Sequence, residues 1–433
     1  MIPFFLMLAL DTAPAVAGEV RVLSLSEAVA LAQRDAPAVI HANGQSQAAA
    51  SAMRSARGAF IPSLSLSASA DRQIPSRAGQ TRIVSGQVQT FSSKPWSYSA
   101  GLSTSLALFE GGQRFFQLQS ARAQVDAAGT GLTQQRDLAA LAAKQQYFAV
   151  LSALEFQAAA QTQLGQAREQ LAMSVLHLKA RTVTRSDSLR SEILVHNATS
   201  AVTQAQTDLA QANVSLQRVV GVPYAVTAAA DVPEGDSTLA LSRAALGDLV
   251  AQAPAVVQAD AAVRQARAAL RITWTGYLPS LTASYGRSGS GASDGFDVSG
   301  SGFAYSGALR LALSLPVFDQ FQRENRVVLA RTALVDAEAS ARDARLEVLE
   351  SLTRSYGAFG AAAERVSLQA ATLAAAQEDL RERQEQYNAG TTSLLDVMTS
   401  RTALDQARRD EIAARYERRL AKAELEALLG RSL

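Results

Sequence analysis

The chain has 433 residues, of which 48% are hydrophobic but only 6% aromatic, and a formal net charge of +2, which leaves no basic footprint for nucleic acid. It contains no cysteine, which excludes a thiol nucleophile, a cysteine metal site, disulfides and a lipid-modified cysteine anchor. His41, His177 and His196 lack ligand spacing and no nucleotide or hydrolase motif occurs, so no catalytic, cofactor or metal residue is expected and the chain does not read as an enzyme.

Residues 1–17 read as a signal peptide. Pro3 to Leu10 is a short apolar core, and Ala15-Val16-Ala17 fits the small-x-small cleavage rule before Gly18. No Lys or Arg precedes the core, so either the native start lies upstream or the signal is weak. The core is too short to span a bilayer, and no apolar run of about 18 residues occurs elsewhere, so any crossing must use strands.

The rest of the chain says one thing twice. Ala36-Pro37-Ala38-Val39 recurs as Ala253-Pro254-Ala255-Val256, and Ile61-Pro62-Ser63-Leu64 as Leu278-Pro279-Ser280-Leu281, both at an offset of 217 residues. A duplicated unit of this size implies one object built from two similar halves. The first repeat is expected over 18–220, an equatorial crossover carrying Pro223, Pro233 and Gly235 over 221–240, and the second repeat over 241–433.

Each repeat carries two strands, expected in the first over about 62–71 and 96–109. Ser63 to Ser69 alternates apolar and small polar residues, as does the stretch from Trp96 to about 109, where the even positions run Trp96, Tyr98, Ala100, Leu102, Thr104, Leu106, Leu108 against serines and Gly101. The second repeat repeats this over about 279–287 and 303–315, with Tyr305, Leu309, Leu311 and Leu313 opposed to Ser306, Arg310 and Ser314. Period two puts one set on each face, and an apolar face backed by small polar residues is the pattern of an outer-membrane barrel; a soluble two-faced sheet is the alternative. Asp71 to Pro95 and Gly286 to Gly302 read as exposed loops between paired strands. Two hairpins give four strands, which cannot close a barrel, so other subunits must complete it.

Long helices follow the strands. From about Gln113 to Thr182 and from about Gln320 to Tyr387 there is no proline, which is roughly 100 Å of helix at 1.5 Å per residue. Leu25 to Phe60 and Ser188 to Val220 match the first in length end to end, and Leu241 to Tyr277 with Asp396 to Leu428 match the second. Leu194, Ala198, Ala201, Ala205, Leu209, Ala212, Leu216 and Val219 step by three and four as a coiled-coil seam. The hairpins are expected over about 113–220 and 320–429.

These residues carry a family resemblance. The repeat, the exits Phe109-Glu110-Gly111-Gly112 and Leu315-Pro316-Val317-Phe318-Asp319, and the turn Tyr387-Asn388-Ala389-Gly390-Thr391-Thr392-Ser393-Leu394-Leu395-Asp396-Val397 resemble the TolC family of outer-membrane channel proteins. The resemblance implies a mixed α+β membrane protein, a homotrimer whose twelve-stranded transmembrane β-barrel continues into a periplasmic α-helical coiled-coil barrel. It implies partners as well: outer-membrane lipid, a periplasmic adaptor (membrane fusion) protein and an inner-membrane pump of the efflux or ABC type.

By the same resemblance, two tips point at the inner membrane. Thr182, Thr184, Arg185 and Ser186 in the first, and Gly390, Thr391, Ser393 and Leu394 in the second, would dock the adaptor. Asp187 and Tyr387 would tie neighbouring helices in a closed periplasmic gate, and Asp396 would ring the entrance. Thr392 stands where a gate arginine is found and Thr399 where a second carboxylate is found, so the lock is weaker and a substitute cation, Arg185, is considered. Ser186-Asp187 and Thr392-Ser393 equally suit plain helix starts. The function implied is a passive exit duct for small molecules or an unfolded secreted polypeptide, in efflux or type I secretion. A non-transport stalk or adhesin is the alternative, and ion conductance separates the two. A diffusion porin has no use for such helices.

Overall fold

In a computed structural model of the chain, residues 20–74, 80–84, 86–91, 94–180, 184–229, 249–296 and 303–431 are described. The expected signal segment, Thr182, residues 230–240 of the expected crossover and 241–248 of the second repeat lie outside them. The chain divides into two units, one of residues 1–45, 129–258 and 343–433, the other of 46–128 and 259–342.

The second unit holds the sheet. Strands β2 (Ser63–Arg72), β5 (Trp96–Glu110), β7 (Ser280–Ser293) and β8 (Ala304–Ser314) pair antiparallel in that order. The two repeats therefore share one sheet through β5–β7, with β2 and β8 left as edges. Leu64, Leu66, Leu102, Leu309, Leu311 and Leu313 are exposed on one face. Most alternate positions are serine, glycine or alanine, and among the described residues the leucines of the apolar face are left uncovered.

The loop expectations need correction. Gln80–Val84 and Gln87–Phe91 form a separate antiparallel hairpin, β3–β4, inside the stretch read as a loop. β7 extends to Ser293 because its backbone pairs with β8 as far as Ser290 and with β5 as far as Ser293, across glycines and serines that read as loop. Tyr305 lies across from Gly289, where an added Cβ would meet its ring at 2.6 Å; the glycine makes room for the aromatic. A bulge at Leu108 shifts the register, so Ala107 opposes Thr282 and Phe109 opposes Leu281.

Both strand-to-helix exits use two consecutive left-handed residues. At the first they are Gly111 and Gly112, with φ of 61° and 85°; at the second they are Gln320 and Phe321, with φ of 58° and 61°. Each exit is closed by an arginine one residue into the following helix. Arg114 donates to the carbonyls of Ala59 and Ala107 and lies 3.5 Å from Glu110. Arg323 donates to Pro316 at 2.8 Å and Val317 at 3.2 Å, and pairs with Asp319 at 3.2 Å.

The long helices are α3 (Gln113–Lys179) and α6 (Gln322–Asn388), each of 67 residues. Their return helices are α4 (Arg185–Val220) and α7 (Leu394–Leu429), each of 36. The segment read as one helix over 25–60 is two, α1 (Leu25–Asp35) and α2 (Pro37–Gly58): Pro37 cannot donate a backbone N–H and forces Ala36 out of the helical region, to ψ 133°. In the second repeat α5 (Pro254–Thr275) likewise starts on its proline.

The core of the first unit gathers around a short parallel pair, β1 (Arg21–Leu23) with β6 (Val226–Ala228). Tyr147, Val150, Leu216, Val220 and Leu23 are buried there. The Tyr147 hydroxyl lies 3.2 Å from the Leu23 carbonyl and 3.1 Å from that of Ala229, fastening α3 to this pair. Along the α4 seam only Ala198, Ala205 and Leu216 of the expected positions are fully buried, with Ser191 and Val220. Among the described residues no helix is long and apolar enough to cross a membrane.

Candidate functional site

The turn of the second tip is described in full, and the return helices of both tips start alike. α6 ends in Gly390 with φ 76°, where Thr391 N–H donates to the Gln386 carbonyl at 2.9 Å and Gly390 N–H to that of Tyr387 at 3.0 Å. This pairing is the six-to-one, five-to-two closure that a left-handed glycine allows. The Thr391 hydroxyl adds a second bond to Gln386, at 3.0 Å. No atom lies within 4 Å of where a Gly390 Cβ would be, so backbone conformation rather than space selects glycine.

Each return helix opens on a capping box. Ser393 Oγ accepts from Asp396 N–H at 3.3 Å, while Asp396 Oδ2 accepts from Ser393 N–H at 3.1 Å. The hydroxyls of Ser393 and Thr392 also reach Oδ2, at 2.6 Å and 2.9 Å. In the first tip, Thr184 and Asp187 make the same reciprocal pair at 3.3 Å and 3.1 Å. Asp187 and Asp396 are thus equivalent third residues of two helix starts. Hydrogen bonds from Ser393 and Thr392, with the nearby Arg383 charge, hold the Asp396 carboxyl below the ordinary aspartate range.

Two other cations lie near these carboxylates within the chain. Arg190 sits 3.7 Å from Asp187 Oδ1, one turn along α4, and Arg383 faces Asp396 from the last turns of α6. Arg383 also lies 3.6 Å from Asp379, and the Asp379 carboxylate accepts from the Ser400 hydroxyl. The three-residue spacing of Asp187 and Arg190 was the available signal for the first; the second requires the hairpin to be folded. Arg185 and Ser186 are exposed at the start of α4.

Tyr387 packs against the buried cluster of Leu380, Val397 and Leu404. Burial, and then the charge of Asp187, push its phenol above the ordinary range. Among the described residues no hydrogen bond joins Tyr387 and Asp187. Leu394 is buried under the turn, and the Thr399 hydroxyl turns back to the Leu395 carbonyl at 3.0 Å.

A second surface of interest is the small-residue face of the sheet. Ser63, Ser105, Ser284 and Arg310 form one row across the four strands. Ser65, Ser103, Gly286 and Ala308 form the next, followed by Ser67, Gly101, Ser288 and Ser306. Serine hydroxyls bond across strands, Ser63 to Ser105 at 2.8 Å and Ser65 to Ser103 at 2.6 Å.

An open-edged amphipathic sheet, two helical hairpins with matched tips and an internal repeat define an outer-membrane channel protomer. The chain belongs to the outer membrane efflux protein family, whose model matches residues 28–222 and 245–431. It is 26% identical over 346 residues to Protein CyaE of Bordetella pertussis, covering 78% of this chain and 70% of that one. It is 23% identical over 294 residues to the outer membrane protein TolC of Escherichia coli, covering 66% and 59%. Among solved structures, CusC superposes with a TM-score of 0.79 at 18% identity, covering 98% of this chain and 96% of that one. The fold class is that of the trimeric TolC-family channels, with a β-barrel and an α-helical barrel. The protein is an outer-membrane efflux channel component reaching into the periplasm, and not an enzyme.

Proposed function

We propose that three copies of this chain close a twelve-stranded barrel and serve as the passive exit duct of a tripartite efflux or type I secretion system. A periplasmic adaptor engages the tips, and an energised inner-membrane pump of the efflux or ABC type supplies the driving force. The observation that carries this reading is the four-stranded sheet with both edges, β2 and β8, unpaired and its leucine face bare. Open edges in lipid leave backbone groups unsatisfied, and closure by neighbouring copies satisfies them all. The tips support the rest, since two capped helix starts leave Thr184, Arg185, Ser186, Thr391 and Ser393 exposed.

The test is assembly with conductance. Detergent-solubilised protein should run as a trimer of 45.7 kDa chains and open pores in planar bilayers. A monodisperse monomer with intact β signal, or a trimer that never conducts, overturns the reading; the second outcome favours a stalk.

A further inference from the structure

The sheet register places one charge where the rest of its face is small. β2, β5, β7 and β8 turn Ser63, Ser65, Ser67, Ser69, Ser99, Gly101, Ser103, Ser105, every even residue of β7 and every even residue of β8 to the same side. In this sheet that side carries charge at three places. Asp71 sits at the outer end of β2, and Glu110 lies at the other end of the sheet, beside Arg114 at 3.5 Å. Between them stands Arg310, opposite Ser284, with no acidic or hydrogen-bonding partner among the described residues. It is exposed, and the opposite face of β8 is Tyr305, Leu309, Leu311 and Leu313. Arginine on this side is not explained by helix capping, by an ion pair or by packing.

We propose that Arg310 is a selectivity residue of the barrel lumen, a threefold ring of guanidinium groups that favours anionic cargo and anions in transit. The proposal rests on the trimeric channel reading. A strand spacing of about 4.8 Å and a tilt of about 40° give twelve strands a backbone radius of roughly 12 Å. The serines, glycines and alanines around it leave that lumen open, so the arginines reach furthest toward the axis and set its narrowest charged level. An arginine keeps its charge at every physiological pH, and it prefers carboxylate and phosphate through paired N–H donors. In a narrow passage with low-dielectric walls, three such charges focus a field that one exposed arginine on a convex surface would not have. The preferred passengers are solutes or polypeptide segments bearing carboxylate, sulfonate or phosphate groups.

The experiment is reversal potential in planar bilayers under a potassium chloride gradient, with wild type, Arg310→Lys, Arg310→Gln and Arg310→Glu compared as trimers of equal heat stability on gels. The potassium-to-chloride permeability ratio should rise about twofold or more from wild type to Arg310→Gln, and further in Arg310→Glu, as expected on removing and then inverting a focused charge. Arg310→Lys should stay near wild type. Block by added inorganic hexametaphosphate should weaken in the same order. Conducting trimers whose permeability ratio and polyanion block are equal in all four proteins overturn the assignment of Arg310 alone. Wild-type trimers that do not conduct overturn the channel reading and this proposal with it.

Discussion

Single residues at the tips do structural work that sets limits on their functional roles. Gly390 holds φ at 76° in open space, so a β-branched side chain there costs backbone energy, about 1–2 kcal/mol, without meeting a neighbour. Gly390→Val should loosen the turn and impair adaptor coupling while the trimer and barrel stay intact. Cross-linking from Thr391 to the adaptor checks this, and normal cross-linking with normal transport sinks the tip assignment. Asp396 is the second case. Its folded pKa is lowered, so its capping contribution is complete above the unfolded value of about 3.9 and fades as pH falls through the folded one. Amide exchange at residues 393–397 should therefore show constant protection from pH 8 to about pH 5 and loss only below about pH 4. Loss near pH 6 would mean that a different group holds the turn. The second cap was legible in Thr392-Ser393, while the first was read at Ser186-Asp187 and lies at Thr184, with Asp187 its third helical residue. Arg383 was not legible, because nothing in α6 alone shows that its side chain comes near Asp396.

At the scale of elements, the strand alternation carries most of the information, and its failures have causes. Ser63–Arg72 and Ala304–Ser314 follow strict period two and could be read directly. The bulge at Leu108 could not, because a one-residue insertion leaves the composition of the stretch unchanged. The far half of β7 could not, because Gly286, Gly289 and Gly291 carry no side chain to show a face. The helix break was visible in Pro37 yet masked by the apolar period running on both sides of it. The register assigns Leu309 to the apolar face, opposite Tyr285, and Ser314 to the small one, opposite Ser280. Lysine at Leu309 should cost about 2–4 kcal/mol if that face meets the lipid midplane. Lysine at Ser314 should be tolerated. The yield of heat-resistant trimer in outer membranes measures both. Equal losses at the two positions would mean that the faces are exchanged, which a slip of one residue would do.

At the scale of the whole molecule, a gate built on Asp187 and Tyr387 would have to close through contacts between copies. Within one chain, Asp187 spends Oδ2 on the Thr184 turn and turns Oδ1 toward Arg190, and the Tyr387 ring is held by Leu380, Val397 and Leu404. Neither residue bonds the other. Thr392, where the resemblance puts a gate arginine, instead donates to Asp396 at 2.9 Å, so this position caps its own helix and carries no charge. A channel of this build should be leakier at rest than one with a charged lock. Tyr387→Phe removes a hydroxyl that has no hydrogen-bond partner among the described residues, so an effect on conductance is the sign expected of a tie to another copy. Asp187→Ala removes the cap and the charge together, and Asp187→Asn removes the charge while keeping an acceptor for the turn. Resting conductance should rise in Tyr387→Phe and in both Asp187 variants if these residues tie neighbouring helices. It should rise in Asp187→Ala alone if only the cap matters. The threefold Asp396 carboxylates, with Oδ1 left free by the turn, should give the entrance a cation preference and a site for polyvalent cation block from the periplasmic side. Asp396→Asn should reduce both. Single-channel recordings decide the matter: unchanged selectivity and block place the acidic ring elsewhere. If Tyr387→Phe and the Asp187 variants also conduct as wild type, these positions serve helix capping and packing only.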